Sequence, residues 1–151
     1  MARQSGTILP EEVVRPMLLN LRNRFTEVSA WHQRSSDLIA TGRPVIKVPL
    51  PWGHYRILVG QNRSLPKLLN TQVQGRAAVG LKEALFEAEE DGLIHYIGGL
   101  VHDEIVATSV PNNEAKEYSE YLSAAMIRGM QKVCSNVPIL VDADVGEVWT
   151  P

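Results

Sequence analysis

Apolar residues between Glu11 and Ala40 recur at helical spacing, with Met17, Leu18, Leu21, Phe25, Val28 and Trp31 on one stripe. This predicts a helix that opens at Pro10 and two glutamates and ends at Gly42. Pro16 falls early enough to sit in a first turn or to mark a kink. The stripe is expected to be core. The period then shortens. Val45, Ile46 and Val48, then Tyr55 to Val59, predict a β-hairpin turning at Pro51-Trp52-Gly53. Helical spacing returns from Leu68 to Glu90 and stops at Asp91-Gly92. The runs "LIHYIGGLV" and "EIVATSV" predict a second hairpin around His102-Asp103. Pro111-Asn112-Asn113 is expected to cap a helix from Glu114 to Cys134, with Tyr118, Leu122, Ala125, Met126 and Met130 facing inward. "PILVDADVGEVW" reads as a last strand. The order predicts an α+β fold, a mostly antiparallel sheet with helices packed on it, with residues 1–151 forming one domain.

At 151 residues the chain can bury a real core, and 44% hydrophobic with 21% charged residues is ordinary for a globular protein. No apolar run approaches the roughly 20 residues that span a bilayer. "MARQSGTILPEE" lacks the apolar stretch of a secretory signal. The single cysteine, Cys134, excludes an internal disulfide and a cysteine-based zinc site. A cytoplasmic protein with no membrane partner is expected.

The net charge of −2 hides a split: residues 1–82 hold 12 Lys and Arg against 4 Asp and Glu, and residues 83–151 hold 3 against 13. A basic half invites a polyanion and an acidic half can hold divalent cations, although solvated surface gives the same counts.

Two stretches carry candidate chemistry. In "NTQVQGRAAVG", Asn70 and Gln74 lie four apart on one helix face, and Gly75, Ala77 and Ala78 add almost no side chain near it. Another backbone could come close there, whether a second helix or a ligand. In "GGLVHDEIVAT", His102, Asp103 and Glu104 stand together between β-branched runs. Within a regular strand Asp103 and Glu104 would point to opposite faces, whereas a tight turn can bring both near one point. Hard cations such as magnesium take oxygen ligands, but a two-metal site needs at least one more aspartate. A hydrated turn is the plain alternative. The His-Asp pair is also similar to that of metal-dependent HD phosphohydrolases, but His54 and His95 sit in strand patterns rather than on helices.

"GLVHDEIVAT" resembles motif C of family A DNA polymerases, the bacterial polymerase I type: an apolar run, Val-His-Asp-Glu, and a second apolar run. "LNTQVQGRAAVGLKEAL" is similar to that family's preceding helix, with Asn70, Gln74, Gly75, Ala77, Ala78 and Lys82 in step. "VPILVDADVGEVW" is similar to its terminal palm strand at Gly146, Glu147 and Trp149, and the opening helix and first hairpin are similar to the segments after the fingers. The likeness runs in order along nearly the whole chain. It implies that Asp103 is a metal ligand with Glu104 a lesser neighbouring carboxylate, that His102 lies near the primer terminus, and that Asn70 and Gln74 touch the minor-groove edge of the nascent duplex. Arg63, Lys67 and Arg76 are expected to contribute further DNA contacts. Departures fall in the helix: Pro66 stands where the family has an arginine, and Arg76 and Val79 replace a threonine and an aspartate.

The family's motif A strand, fingers helix and thumb have no counterpart here. The resemblance therefore implies the motif C half of a polymerase palm, a subunit in a phage-like or compact replicon. It would work with a larger polymerase subunit supplying motif A, fingers and thumb, on primer-template DNA and dNTP, with two Mg2+ ions. The alternative is a non-catalytic, palm-derived protein that binds nucleic acid or regulates a polymerase.

Overall fold

The computed structural model describes residues 10–149. Its elements follow in the order α1 (Glu11–Arg24), α2 (Thr26–Ala40), β1 (Val45–Pro49), β2 (Tyr55–Val59), α3 (Leu65–Glu90), β3 (Ile97–Val101), β4 (Glu104–Ala107) and α4 (Ala115–Val133). The fold is α+β, but its strands form two separate two-stranded sheets, β1-β2 and β3-β4, and not one palm-sized sheet. The chain divides into two compact units, Met1–Ile46 with Val59–Leu69, and Lys47–Leu58 with Asn70–Pro151.

In the first unit the expected single helix is two. Phe25 leaves helical geometry at φ −114°, ψ 64°, and the Ser29 hydroxyl donates to the Arg22 carbonyl at 3.0 Å, satisfying an acceptor the break exposes. Pro16 lies inside α1 without ending it. The stripe expected as core is largely uncovered. α1 buries no residue, and Met17, Leu21 and Val28 are 60%, 56% and 56% exposed. Periodicity reports that a helix has an apolar face, not that the same chain supplies its cover.

The second unit holds a core of Ala88, Leu93, Tyr118, Leu122 and Ala125, with Tyr96, Ile97, Ile105, Ala107 and Val110 packed against it. The buried Tyr118 hydroxyl donates to the Leu93 carbonyl at 2.7 Å, and its ring meets Tyr96 edge to face at 5.4 Å. Burial pushes the Tyr118 hydroxyl pKa up. α4 takes its expected length, but its N-cap is Glu114 with no side-chain cap, the turn closing by the Glu114 amide on the Pro111 carbonyl at 2.9 Å.

α3 carries two buried stripes on opposite sides. Thr71 and Val79 are buried on one, with Gly75 between them under the Leu50 side chain, where a Cβ would meet Leu50 Cδ2 at 2.6 Å. Gly80, Ala84 and Ala88 form the other: Gly80 lies beneath Met130, Ala84 against Gly129, and Ala88 within the core. Partners in the two stripes are nine residues apart, about two and a half turns, hence opposite. Alongside the second stripe, Glu87 accepts hydrogen bonds from Arg128 at 2.7 Å and from Lys132 at 2.6 Å, and Arg128 also reaches Asp91. Lys132 first, then Arg128, holds the Glu87 carboxyl below its usual range, and Glu87 in turn raises both cations.

The expected last strand is not formed: residues 138–146 carry no regular element, and Leu140 is 90% exposed. A strand needs a neighbour for its amides and carbonyls, and no described strand pairs with this segment. Among the described residues no helix is long and apolar enough to cross a membrane.

Candidate carboxylate site at the β3-β4 hairpin

β3 and β4 pair antiparallel with Val101 opposite Glu104, Leu100 opposite Ile105, Gly99 opposite Val106 and Ile97 opposite Ala107. Gly98 is the extra residue of a bulge. It lies against Thr108, whose Oγ1 would be 2.7 Å from a Cβ there. The bulge brings Ile97 onto the face of Ile105 and Ala107, which packs on the core, while Leu100, paired with Ile105 nearer the tip, is 47% exposed. Gly99, Val101, Glu104 and Val106 share the other face.

His102 and Asp103 are the two turn residues. His102 adopts a left-handed φ of 55°, a conformation strained for any residue with a Cβ but more open to histidine than to most. Two-residue turns with a positive φ match the twist of the strands, so the tip is tight. His102, Asp103 and Glu104 are all exposed. The tip thus presents two carboxylates and an imidazole outward, with Glu104 directed by the ladder and Asp103 by the turn.

Oxygen donors on an exposed tip suit a hard cation that keeps several waters. They do not complete a site. Among the described residues no three His, Cys, Asp or Glu side chains come together where they could hold a metal ion.

On α3, Asn70 and Gln74 are exposed on one face together with Val73 and Ala77. The small-residue surface is therefore open there, but Gly75 belongs to the side that seats Leu50. The expected basic contacts separate. The Arg63 guanidinium donates to the carbonyls of Gly42, at 3.1 Å, and of Arg43, so it ties its own loop. Lys67 donates to the Asn62 side chain. Arg76 follows Gln74 by two residues, about 200° around the helix. It lines a separate cleft with Pro49, Leu50, Pro51, Trp52, Lys132 and Val133.

Two features of these surfaces have only faint sequence signals. Trp52 has a left-handed φ of 58°, and the only hint is its place between Pro51 and Gly53. The bulge is foreshadowed only by the doubled glycine Gly98-Gly99. No protein-family model, curated protein or solved structure matches the chain.

Proposed function

We propose that this chain is the small subunit of a split family A DNA polymerase. It contributes the motif C carboxylates and minor-groove contacts for template-directed dNTP addition, and a larger partner chain contributes motif A, the fingers and the thumb. The observation that carries this reading is the β3-β4 ribbon. It has two strands, open outer edges among the described residues, and exposed Asp103 and Glu104 at a tight tip. A two-stranded ribbon is marginal alone, and open edges are normally covered. A third strand bearing an aspartate, added by a partner, supplies both the missing pairing and the missing ligand. The uncovered apolar face of α1 and the exposed Asn70 and Gln74 support the same reading.

In this arrangement Asp103 holds Mg2+, Glu104 stands beside it, and the partner provides the remaining protein ligand. The ions supply charge neutralisation of the attacking and leaving oxygens. His102 lies next to Asp103 at the primer end. Asn70 and Gln74 donate to the N3 and O2 acceptors common to all Watson–Crick pairs, checking shape and not sequence.

A tagged chain recovered from its native cell, with mass spectrometry of what it retains, tests this directly. The expected result is one larger protein carrying an aspartate motif and a fingers helix, and magnesium-dependent primer extension by the pair. Recovery of the chain alone, or with unrelated proteins, would leave the non-catalytic palm-derived reading in its place.

A further inference from the structure

The cleft beside Arg76 lies within the second unit and is built by close packing. Leu50 sits on Gly75, so the turn Pro49–Gly53 is pressed onto α3. The Leu50 amide donates to the His54 carbonyl at 2.8 Å, and the His54 amide to the Pro51 carbonyl at 3.2 Å, closing the turn. Two prolines stiffen it further. Trp52 is held at its tip in the left-handed conformation and is 61% exposed. A bulky residue in that conformation is a true outlier, and such strain is sustained only where its surroundings fix it. A rigid indole is thereby presented to solvent beside two cations, Arg76 and Lys132.

The two cations differ. Lys132 already holds Glu87 at 2.6 Å and Glu83 at 3.7 Å. Arg76 has no partner among the described residues. The neighbouring exposed aromatic, Tyr55, carries the Lys47 ammonium 3.8 Å from its ring centre, so its face is taken. The indole of Trp52 is the open platform. An open aromatic face next to an unpaired guanidinium matches a planar base joined to a phosphate. The cleft volume of about 380 Å³ falls at the small end of ligand sites, roughly 300–1,000 Å³, which suits one nucleotide.

We infer that this cleft binds an unpaired nucleotide of a single-stranded nucleic acid, its base stacked on Trp52 and its phosphate on Arg76, with Lys132 at the rim. The site is distinct from the hairpin carboxylates. It stands whether or not a larger polymerase subunit exists, because a chain captured without a partner would leave the cleft unchanged.

Binding of a short fluorescently labelled oligothymidylate to the full chain, without metal, tests this by anisotropy. Trp52→Ala is expected to weaken binding about 10-fold, the effect of losing one stacked base. Trp52→Phe, which keeps a ring, should stay close to the parent, and Arg76→Gln should weaken binding and flatten its salt dependence. Arg34→Gln, an exposed cation on α2, should change little. Trp52→Gly, which relieves the left-handed strain, guards against loss of fold and should bind as weakly as Trp52→Ala. The inference is overturned if Trp52→Ala and Trp52→Gly bind like the parent. It is equally overturned if a blunt duplex or polyglutamate competes as well as the unlabelled single strand, since charge alone or a peptide would then account for the cleft.

Discussion

Gly129 of α4 lies directly against the backbone of Ala84 in α3, so close that a Cβ on Gly129 would also meet the Glu83 carbonyl carbon at 2.6 Å. Backbone, unlike a flexible side chain, cannot step aside. The two helices cross at the smallest residue available, and the tightness of that crossing sets the frame on which the β3-β4 hairpin rests.

Gly129→Ala should therefore destabilise the chain although alanine favours helix. Overpacking typically costs about 1–3 kcal/mol, and the backbone contact places this variant at the upper end. Urea denaturation should show a lower midpoint with the slope unchanged. Gly80→Ala should be milder, because it meets the flexible Met130 side chain.

Acid should loosen the same helix pair through Glu87. Its folded-state pKa is lowered by hydrogen bonds from Lys132 and Arg128. The stability it contributes is complete above the unfolded carboxylate value and is lost as pH falls through the folded one. Glu87→Gln should be less stable than the parent at neutral pH and should converge on it below about pH 4. Parallel acid titrations of the two proteins, followed by circular dichroism, would refute this if the gap stayed constant. On the alkaline side, the contribution of Lys132, whose value is raised chiefly by its hydrogen bond to Glu87, is complete below the unfolded lysine value and is lost as pH rises through the folded one.

The left-handed His102 predicts opposite effects on stability and on activity. A residue with a Cβ held there costs roughly 1–2 kcal/mol, offset in part by glycine's greater chain entropy of about 0.5–1 kcal/mol. His102→Gly should thus leave stability unchanged or raise it by up to about 1.5 kcal/mol. Primer extension by the assembled pair should fall. A thermal melt and an extension assay on one preparation decide it, and a destabilised His102→Gly would show that the turn gains nothing from relaxed geometry.

Asp103→Asn keeps the size of an exposed turn residue and removes its charge. Melting of the chain should move little, since surface changes of this kind stay within about 0.5 kcal/mol. Magnesium-dependent extension by the pair should drop by at least ~100-fold, the scale expected when one charge-stabilising group is removed from a reaction centre. Partner retention should persist. Unchanged extension would assign the carboxylate to a hydrated turn.

On α1, which buries none of its residues, Leu18 and Leu21 are about half exposed. The double variant Leu18→Glu, Leu21→Glu should fold as the parent does and lose the larger protein in the capture experiment. Retention at parental levels would show that the partner is held elsewhere.

Much of this fold was legible because its elements are bounded by local chemistry. Gly92 closes α3, and the apolar runs flanking Pro51-Trp52-Gly53 and His102-Asp103 frame two hairpins at the expected turns. The rest depended on partners that spacing does not reveal. The Met17 and Leu21 stripe has the period of a core helix, yet no described element covers it. Residues 138–141 have strand-like composition, yet no strand edge meets them. Phe25, neither glycine nor proline, is where the first helix breaks. At the candidate site the exposed carboxylates and the Asn70 and Gln74 face could be read in advance. Arg76 stands about 200° around the helix from Gln74, beside Trp52, a neighbour that spacing along the chain does not reveal.

The opposed stripes of α3 give that helix a second meaning, as a rotational ruler. Thr71, Gly75 and Val79 engage one surface and Gly80, Ala84 and Ala88 the other, so each stripe fixes the azimuth of the other through the continuous backbone. One residue added or removed between Val79 and Gly80 would turn one set by about 100° against its neighbours, while four added would return it to within about 40°. Length at this point is thus held by angle and not by distance. Point changes on the open side, at Asn70, Gln74 and Ala77, leave the ruler intact, whereas a change in the count of residues beneath that surface does not.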